Sequence, residues 1–296
     1  MNTTSCVVVV GYNGSRVHDI QKLRELCKSL YNARLILLVE KIQPHDDQVA
    51  DHVCSTSLAE KDVEASLELV VGCLNADSWK LIGVLPFSDR GVLLGAALAG
   101  HFGLPGITPG EARAGLDKQI FRRLEAAADT SPEEYRPVFS ARVESLPELR
   151  QRDVELGGKA FIKPACEGAS RGCRVIHHPS ECDDAWFALK PYREGGIVLE
   201  ELVQNAREYS WDYVAGSTWV TEKTTTEGAY RAEIQQVVPA PLAADVQARS
   251  MAAGRHMSAL VSRDNGAWHN EVFLRGDNLT SAVETNMRPG GMHIWD

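Results

Sequence analysis

The sequence predicts an α/β domain built on a parallel sheet, followed by an α+β domain. Strand and helix patterns alternate through the first part of the chain, which is typical of βαβ units. Short strands then follow one another with little between them, which indicates antiparallel pairing. Between the two patterns lies GLPGITPGEA (Gly103–Ala112), a segment rich in glycine and proline. We therefore expect an N-terminal domain of residues 1–110 and a second domain of residues 111–296.

In the first domain, Cys6–Val10 is a continuous apolar, β-branched run closed by Gly11. Such a run is typical of a strand that is buried on both faces, as in a parallel sheet. Between this run and the similar runs after it, apolar residues recur at helical spacing. Such alternation of strands and helices predicts right-handed βαβ units and a parallel sheet. Further strands are predicted at Leu35–Val39 and Leu81–Leu85, and helices at Val17–Leu30, Val63–Leu74 and from Ser88 and Asp89 through Leu98.

The second domain contains more strands than helices. Helices are predicted at Arg113–Ala127 and Ala243–Val261. Strands are predicted at Lys159–Lys163, Val175–His177, Ile197–Leu199, Tyr209–Ala215, Ser217–Lys223, Glu233–Val238, Trp268–Leu274 and Ser281–Asn286.

Composition excludes several classes of protein. The chain has 296 residues, 44% of them hydrophobic, and a net charge of −9, without a long Lys/Arg run for nucleic acid or anionic lipid. Its apolar stretches are shorter than the roughly 20 residues that cross a bilayer. We expect no signal peptide, because the N-terminus lacks a basic region followed by an apolar one. The seven cysteines form no CxxC pair, so we expect reduced thiols and a cytoplasmic protein. The absence of GxxxxGK[ST] excludes a Walker-type ATPase.

A first motif of possible function is FIKPACEGASRGC (Phe161–Cys173). A strand delivers Lys163, and the loop after it contains Gly168, Ala169, Ser170 and Gly172. Small residues allow backbone N–H groups to approach phosphate oxygens, and a lysine adds a positive charge. The alternative is a solvated glycine loop beside a surface lysine.

A second motif is IVLEELV (Ile197–Val203), which is followed by EYSWD (Glu208–Asp212). Its apolar residues are suited to the wall of a flat pocket, where the backbone reads an adenine edge and Glu208 accepts from ribose hydroxyls. The alternative is a pair of solvent-facing carboxylates at a strand end.

The third motif comprises NEVFL (Asn270–Leu274) and VETNMRPGG (Val283–Gly291). Both read as strands, and each places one carboxylate, Glu271 or Glu284, with Asn286 on the same face as Glu284. Two carboxylates and an amide oxygen suit Mg²⁺ held against phosphates. Arg288 follows on that face, where it is suited to a phosphoryl group or a substrate carboxylate. The alternative is a pair of structural salt bridges.

The order of these motifs resembles the ATP-grasp superfamily, and most of all its carboxylate–amine ligases that join amino acids. Pro86–Gly106, Leu116–Leu124, Glu233–Leu242 and the segment around His269 are also similar to this branch. The resemblance implies roles for residues across the second domain. Nucleotide binding would involve Lys118, Lys163, Glu167, Gly168, Ala169, Ser170, Glu200, Glu201, Leu202, Val203 and Glu208; magnesium binding Glu271, Glu284 and Asn286; and catalysis Lys163 and Arg288.

The resemblance implies an ATP-grasp domain whose two lobes clamp ATP, with a mobile lid at about residues 153–203. ATP would phosphorylate a carboxylate to give an acyl phosphate. The reaction would require Mg²⁺, and Mn²⁺ can replace that cation. An amine would then displace phosphate, with ADP released. The expected partners are ATP and small carboxylate and amine substrates such as amino acids, with no nucleic acid and no membrane, and a homodimer is left open.

Three alternatives remain at this point. The acceptor can be a carrier-protein thiol, the chain can be an ATP-binding regulatory module without turnover, or it can be a carboxylase acting on a biotinyl partner. Members of the family usually continue with further helices beyond the position of Asp296. Two alternatives follow: the C-terminal wall of the substrate site is missing, or the sequence is a fragment of a longer protein.

Overall fold

The structure is a computed structural model that describes residues 3–168, 170–226, 233–262, 266–291 and 294. It divides into two compact units. The first comprises Met1–Arg113 with Asp264–Trp268 and Met287–Asp296, and the second comprises Ala114–Arg263 with His269–Asn286.

The first unit contains a four-stranded parallel sheet, as the sequence predicts, in the order β3-β2-β1-β4. Apolar cores cover both faces, one around Val8, Ile36 and Leu94 and the other around Val9 and Leu37. Burial on both faces explains the continuous apolar runs in β1 and β2. The elements are β1 (Thr4–Val10), α1 (Val17–Tyr31), β2 (Arg34–Val39), α2 (Asp46–Val49), β3 (His52–Ser55), α3 (Val63–Ala76), β4 (Trp79–Pro86), α4 (Asp89–His101) and α5 (Pro109–Ala112).

Within the second unit, one lobe is a four-stranded antiparallel sheet in the order β5-β8-β6-β7. Its core includes Leu149, Ile162, Ala185 and Leu199. Strand β5, which precedes Asp153, pairs with β8 in this sheet. The lid at about residues 153–203 stays a prediction. The elements are α6 (Lys118–Ala126), β5 (Ser140–Val143), α7 (Leu146–Glu155), β6 (Ala160–Pro164), β7 (Arg174–Ile176), α8 (Cys182–Ala188) and β8 (Ile197–Glu201).

The other lobe of this unit is a five-stranded antiparallel sheet in the order β11-β10-β9-β12-β13. Helix α9 covers one face, where Ala253 and Met257 pack with Val272 and Ala282. The opposite face carries polar and charged side chains. The elements are β9 (Ala206–Val214), β10 (Ser217–Thr225), β11 (Glu233–Val237), α9 (Ala244–Val261), β12 (Ala267–Arg275) and β13 (Thr280–Asn286).

The observed elements differ from the sequence prediction at several places. The helix predicted to begin at Arg113 begins at Lys118, because Asp117 caps it by accepting from the backbone N–H of Gln119. Strand β3 was not predicted, since His52–Ser55 is a short edge strand without an apolar run. Strand β5 and helices α7 and α8 were likewise not predicted. Among the described helices, none is both long and apolar enough to cross a membrane.

Candidate active site

The predicted metal ligands lie on two paired strands of the second unit. Glu271 of β12 is directly opposite Glu284 of β13, and His269 is opposite Asn286. The amide nitrogen of Asn286 lies 3.4 Å from Glu284 Oε1. The structure therefore brings Glu284 and Asn286, which the strand pattern placed on one face, together with Glu271 of the paired strand.

An irregularity in the pairing determines which way Glu284 points. Glu271 pairs with Glu284 but Val272 pairs with Ala282, so Val283 is an extra residue in β13. This β-bulge lets Ala282 face the core beneath α9, while Glu284 faces the polar side of the sheet. A regular strand would place Ala282 and Glu284 on the same face.

Lys118 connects this pair of strands to the glycine-containing loop. It is the first residue of α6, and its Nζ lies 3.0 Å from Glu284 Oε2. The same ammonium group donates to the backbone oxygen of Glu167 at 2.6 Å. One lysine thus contacts a predicted metal carboxylate and the predicted phosphate loop.

The loop between β6 and β7 has the backbone geometry of a tight turn. Ser170 and Gly172 have positive φ angles of 55° and 73°. A Cβ at Gly172 would lie 2.8 Å from Pro164 Cγ, so only glycine fits there. Gly168 accepts from the backbone N–H of Arg171, and Ala169 lies outside the described residues.

Lys163 is buried, with 3% of its surface exposed, which is inconsistent with a surface lysine. Its Nζ lies 2.7 Å from Glu200 Oε2, and Arg122 Nε donates to Glu200 Oε1 at 2.7 Å. Burial raises the pKa of Glu200, but Arg122 and Lys163 outweigh it and hold that pKa at about 2. Because the Glu200 carboxylate is engaged in this way, any contact with adenine would come from its backbone.

Arg122 was not singled out from the sequence. Besides Glu200, it contacts Glu125 at 2.9 Å and donates to the backbone oxygens of Ala282 and Val283. It therefore links the strand that carries Glu200 to the bulge that precedes Glu284. The signal in the sequence was weak, since Arg122 and Arg123 are adjacent and only the fold shows which is buried.

The remaining predicted nucleotide residues lie at the end of β8 and in β9. Glu201 Oε1 accepts from the backbone N–H of Phe139, and Leu202 and Val203 are half-buried beyond the strand. Glu208 is half-buried on β9. Burial, together with Glu271, Glu233 and Glu284, raises its pKa to about 7 despite the opposing effect of Lys223. Glu208 thus shares the electrostatic environment of the predicted metal carboxylates.

A second buried network occupies the polar face of the five-stranded sheet. Lys223 of β10 pairs with Glu271 and lies 3.4 Å from His269 Nε2. Burial favours neutral forms, but Lys223 and His269 outweigh it and hold the pKa of Glu271 well below its usual range. Lys223 lies outside the motifs that the sequence singles out. The sequence signal concerns the partners of Lys223: His269 and Glu271 are two residues apart, which places both side chains on one face of the strand.

Arg288 belongs to the first unit. Its Nε donates to Asp89 Oδ1 at 2.8 Å and its Nη2 to Asp89 Oδ2 at 3.0 Å. This two-point contact holds the guanidinium beside the N-terminus of α4. The catalytic role of Arg288 stays a prediction.

The residues present fit a hard divalent cation. Glu271, Glu284 and Asn286 offer oxygen ligands, and Mg²⁺ is commonly held by one or two carboxylates together with substrate phosphates. Within the described part of the chain, no group of three or more His, Cys, Asp or Glu side chains is arranged to hold a metal. A cation here would therefore require oxygens from the nucleotide as well.

Comparison with known proteins gave one match by sequence. No protein-family model matches the chain. The formate-dependent phosphoribosylglycinamide formyltransferase of Pelobacter propionicus is 30% identical over 92 residues. The match includes 30% of this chain and only 22% of the relative.

Solved structures match over almost the whole chain. The L-amino acid ligase of Bacillus licheniformis has a TM-score of 0.74 at 16% identity, covering 98% of this chain and 68% of its own. The ADP complex of N5-carboxyaminoimidazole synthetase from Staphylococcus aureus has a TM-score of 0.70 at 12% identity. The match covers 98% of this chain and 72% of the synthetase. A third match is the biotin carboxylase domain dimer of Hydrogenobacter thermophilus 2-oxoglutarate carboxylase, solved with MgADP and bicarbonate. Its TM-score is 0.71 at 15% identity, and the match covers 99% of this chain and 66% of the carboxylase domain chain.

Proposed function

Because the chain has the ATP-grasp fold, we propose that it is an ATP-dependent carboxylate–amine ligase. It activates a carboxylate as an acyl phosphate and transfers the acyl group to an amine, with release of ADP and phosphate. The observation that carries this proposal is the meeting of Glu284 with Glu271 across two strands and with Lys118 from α6.

In this proposal, different residues of the chain bind the phosphates and the adenosine part of the nucleotide. Lys118 and Lys163 offset phosphate charge, and Glu167, Gly168 and Ser170 belong to the loop that approaches the phosphates. Residues 200–203 and Glu208 hold the adenosine part. Support comes from the contact of Lys118 with the Glu167 carbonyl and from the tight turn at Gly172.

Glu271, Glu284 and Asn286 hold Mg²⁺ in this proposal, and Mn²⁺ is an acceptable substitute. When bound, the cation would neutralise phosphate charge during phosphoryl transfer. Arg288 steadies the activated carboxylate. In the structure Glu284 and Glu271 are paired with Lys118 and Lys223, so a bound cation would share these carboxylates with the two ammonium groups or displace them.

For the substrates, we propose amino acids as both acid and amine. Support comes from the order of motifs and from the likeness to an L-amino acid ligase, which shares 16% of its sequence with this chain. A second candidate is carboxylation of a biotinyl partner, favoured by the likeness to biotin carboxylase domains at a TM-score of 0.71.

The test is an ATP-consumption assay with pairs of amino acids and Mg²⁺, in which nucleotides are separated by chromatography and dipeptides are detected by mass spectrometry. We expect ADP, phosphate and a peptide bond in equal amounts, with no turnover when the amine is omitted. AMP as the main product would contradict the acyl-phosphate route. ADP formation that depends on bicarbonate and biotin would support the carboxylase, and a thioester product would indicate a carrier thiol.

A further inference from the structure

Asp212 is a buried carboxylate on β9, with 1% of its surface exposed, and it belongs to neither the predicted metal site nor the predicted nucleotide site. Its Oδ1 lies 2.6 Å from His269 Nδ1. Its Oδ2 accepts from Ser210 Oγ at 2.7 Å and from Thr221 Oγ1 at 3.1 Å. Two hydroxyl groups thus hold one oxygen of the carboxylate, and the other oxygen is directed at the imidazole.

The opposite edge of the His269 ring faces the predicted metal carboxylate. His269 Nε2 lies 3.4 Å from Glu271 Oε1 and 3.4 Å from Lys223 Nζ. Lys223 Nζ also pairs with Glu271 and lies 3.3 Å from Glu233 Oε2. The contacts therefore run without a break from Asp212 through the imidazole to Glu271.

A carboxylate that binds one ring nitrogen of a histidine fixes both the tautomer and the orientation of the ring. Here Asp212 accepts the Nδ1 proton, so Nε2 is the nitrogen directed at Glu271 and Lys223. Apolar side chains of similar volume would serve folding about as well as these buried charges, whose desolvation is costly. This arrangement is better suited to holding a site than to stabilising the sheet.

We propose that Asp212 is a positioning residue that acts through His269 to set the orientation of Glu271 and Lys223. The inference rests on the proposed function, because it takes Glu271 to be a metal ligand. Asp212 itself touches neither metal nor substrate. Loss of its charge lets the imidazole rotate or change tautomer, and Glu271 then loses its fixed position.

The test compares Asp212→Asn with the wild type in the whole 296-residue chain. Mn²⁺ binding in the presence of ADP is measured by electron paramagnetic resonance, which needs no turnover. We expect Mn²⁺ affinity to fall by about tenfold or more, as is usual when an outer-shell partner of a metal site is lost. In ¹⁵N-labelled protein we also expect the His269 imidazole signals, assigned with His269→Gln, to lose the pattern of an Nδ1–H held by a carboxylate.

Asp153→Asn is the matched control. Asp153 is an equally buried aspartate of the same unit, with 0% exposure, but it lies on α7 in the other lobe. We expect this variant to keep wild-type Mn²⁺ affinity even if its melting temperature falls. Should Asp212→Asn fail to fold, Thr221→Val removes only one hydrogen bond to Asp212, and we expect a smaller loss of Mn²⁺ affinity in the same direction.

The outcomes separate this inference from the proposed function. If wild-type Mn²⁺ binding depends on Glu284 but is the same in Asp212→Asn, the positioning role is wrong and the metal site stands. If the wild type binds no Mn²⁺ with ADP, the metal site and the inference both fail. Equal losses of Mn²⁺ affinity in Asp212→Asn and Asp153→Asn would also overturn the inference, because they would indicate a general loss of structure.

Discussion

At the scale of single residues, Glu284 lies next to three other residues of the proposed site. It faces Glu271 across the strands, contacts Lys118 and lies beside Asn286. The contact with Lys118 is compatible with a structural salt bridge as well as with a metal site. The two interpretations differ in what a neutral replacement would do.

We predict that Glu284→Gln lowers the rate of ADP formation by about 100-fold, since preorganised electrostatic stabilisation is lost, while ATP affinity changes little. The variant should also need more Mg²⁺, because an amide is a poorer ligand for a hard cation. Magnesium titrations and melting curves are the measurements. Glu144→Gln, which removes an exposed carboxylate in the same unit, is the control. Lower stability with unchanged magnesium dependence would favour the salt bridge.

Arg122 is a buried charge whose main effect we expect to be on stability. Its neighbours Glu200 and Glu125 are buried, and its guanidinium also binds the carbonyl groups of the β-bulge. Lysine keeps the charge but lacks the planar set of donors that serves all of these acceptors.

We predict that Arg122→Lys lowers the free energy of unfolding by about 3 kcal/mol, the cost of leaving buried charges without a partner. Urea denaturation followed by tryptophan fluorescence measures the change. Arg123→Lys on the same helix is the matched control, because Arg123 is exposed and should change stability by less than about 0.5 kcal/mol. Equal effects of the two substitutions would contradict the assignment.

At the scale of elements, helix α4 packs directly on the parallel sheet of the first unit. Gly91 is buried, and a Cβ there would lie 1.9 Å from the carbonyl oxygen of Val10. Gly100, near the end of the same helix, is exposed, and a Cβ there would have no neighbouring atom within 4 Å. Of the three glycines in α4, Gly91 is thus required by its close approach to β1, whereas no neighbouring atom requires glycine at position 100.

We predict that Gly91→Ala destabilises the first unit by about 1–3 kcal/mol, since the helix must move away from β1. Gly100→Ala should instead stabilise it by about 0.5–1 kcal/mol, because alanine favours the helical backbone. Thermal denaturation of the two variants beside the wild type provides the comparison. A stabilising Gly91→Ala would mean that α4 does not lie as close to β1 as described.

At the scale of the whole molecule, the proposed nucleotide and metal contacts concentrate in the second unit, whereas the parallel sheet belongs to the first. A ligand slows hydrogen exchange most in the part of the protein that it stabilises. The two units therefore provide an internal comparison within a single experiment.

We predict that a non-hydrolysable ATP analogue with Mg²⁺, at 100 times its dissociation constant, slows exchange in the second unit by up to roughly 100-fold. The slowed amides should include those of α6, β6, β8, β12 and β13, while β1 and β2 of the first unit change little. Hydrogen–deuterium exchange with mass spectrometry measures both, and Mg²⁺ alone is the control. Protection confined to the first unit would place the nucleotide elsewhere.

Local periodicity was enough to predict the parallel sheet, the antiparallel second domain and the shared face of Glu284 and Asn286. These properties depend on residues that are close in sequence, where the alternation of a strand determines which side chains share a face. The register that puts Glu271 opposite Glu284 was not part of that prediction and is known only from the structure.

The tertiary structure alone decided which polar residues are buried together. Arg122 meets Ala282 across 160 positions and Glu200 across 78, and His269 meets Asp212 across 57. Local patterns contain no information about such distant partners, because each strand or helix is compatible with many pairings. The bulge at Val283 likewise depends on packing, since Ala282 must face Met257 of α9 while Glu284 faces the opposite side of the sheet.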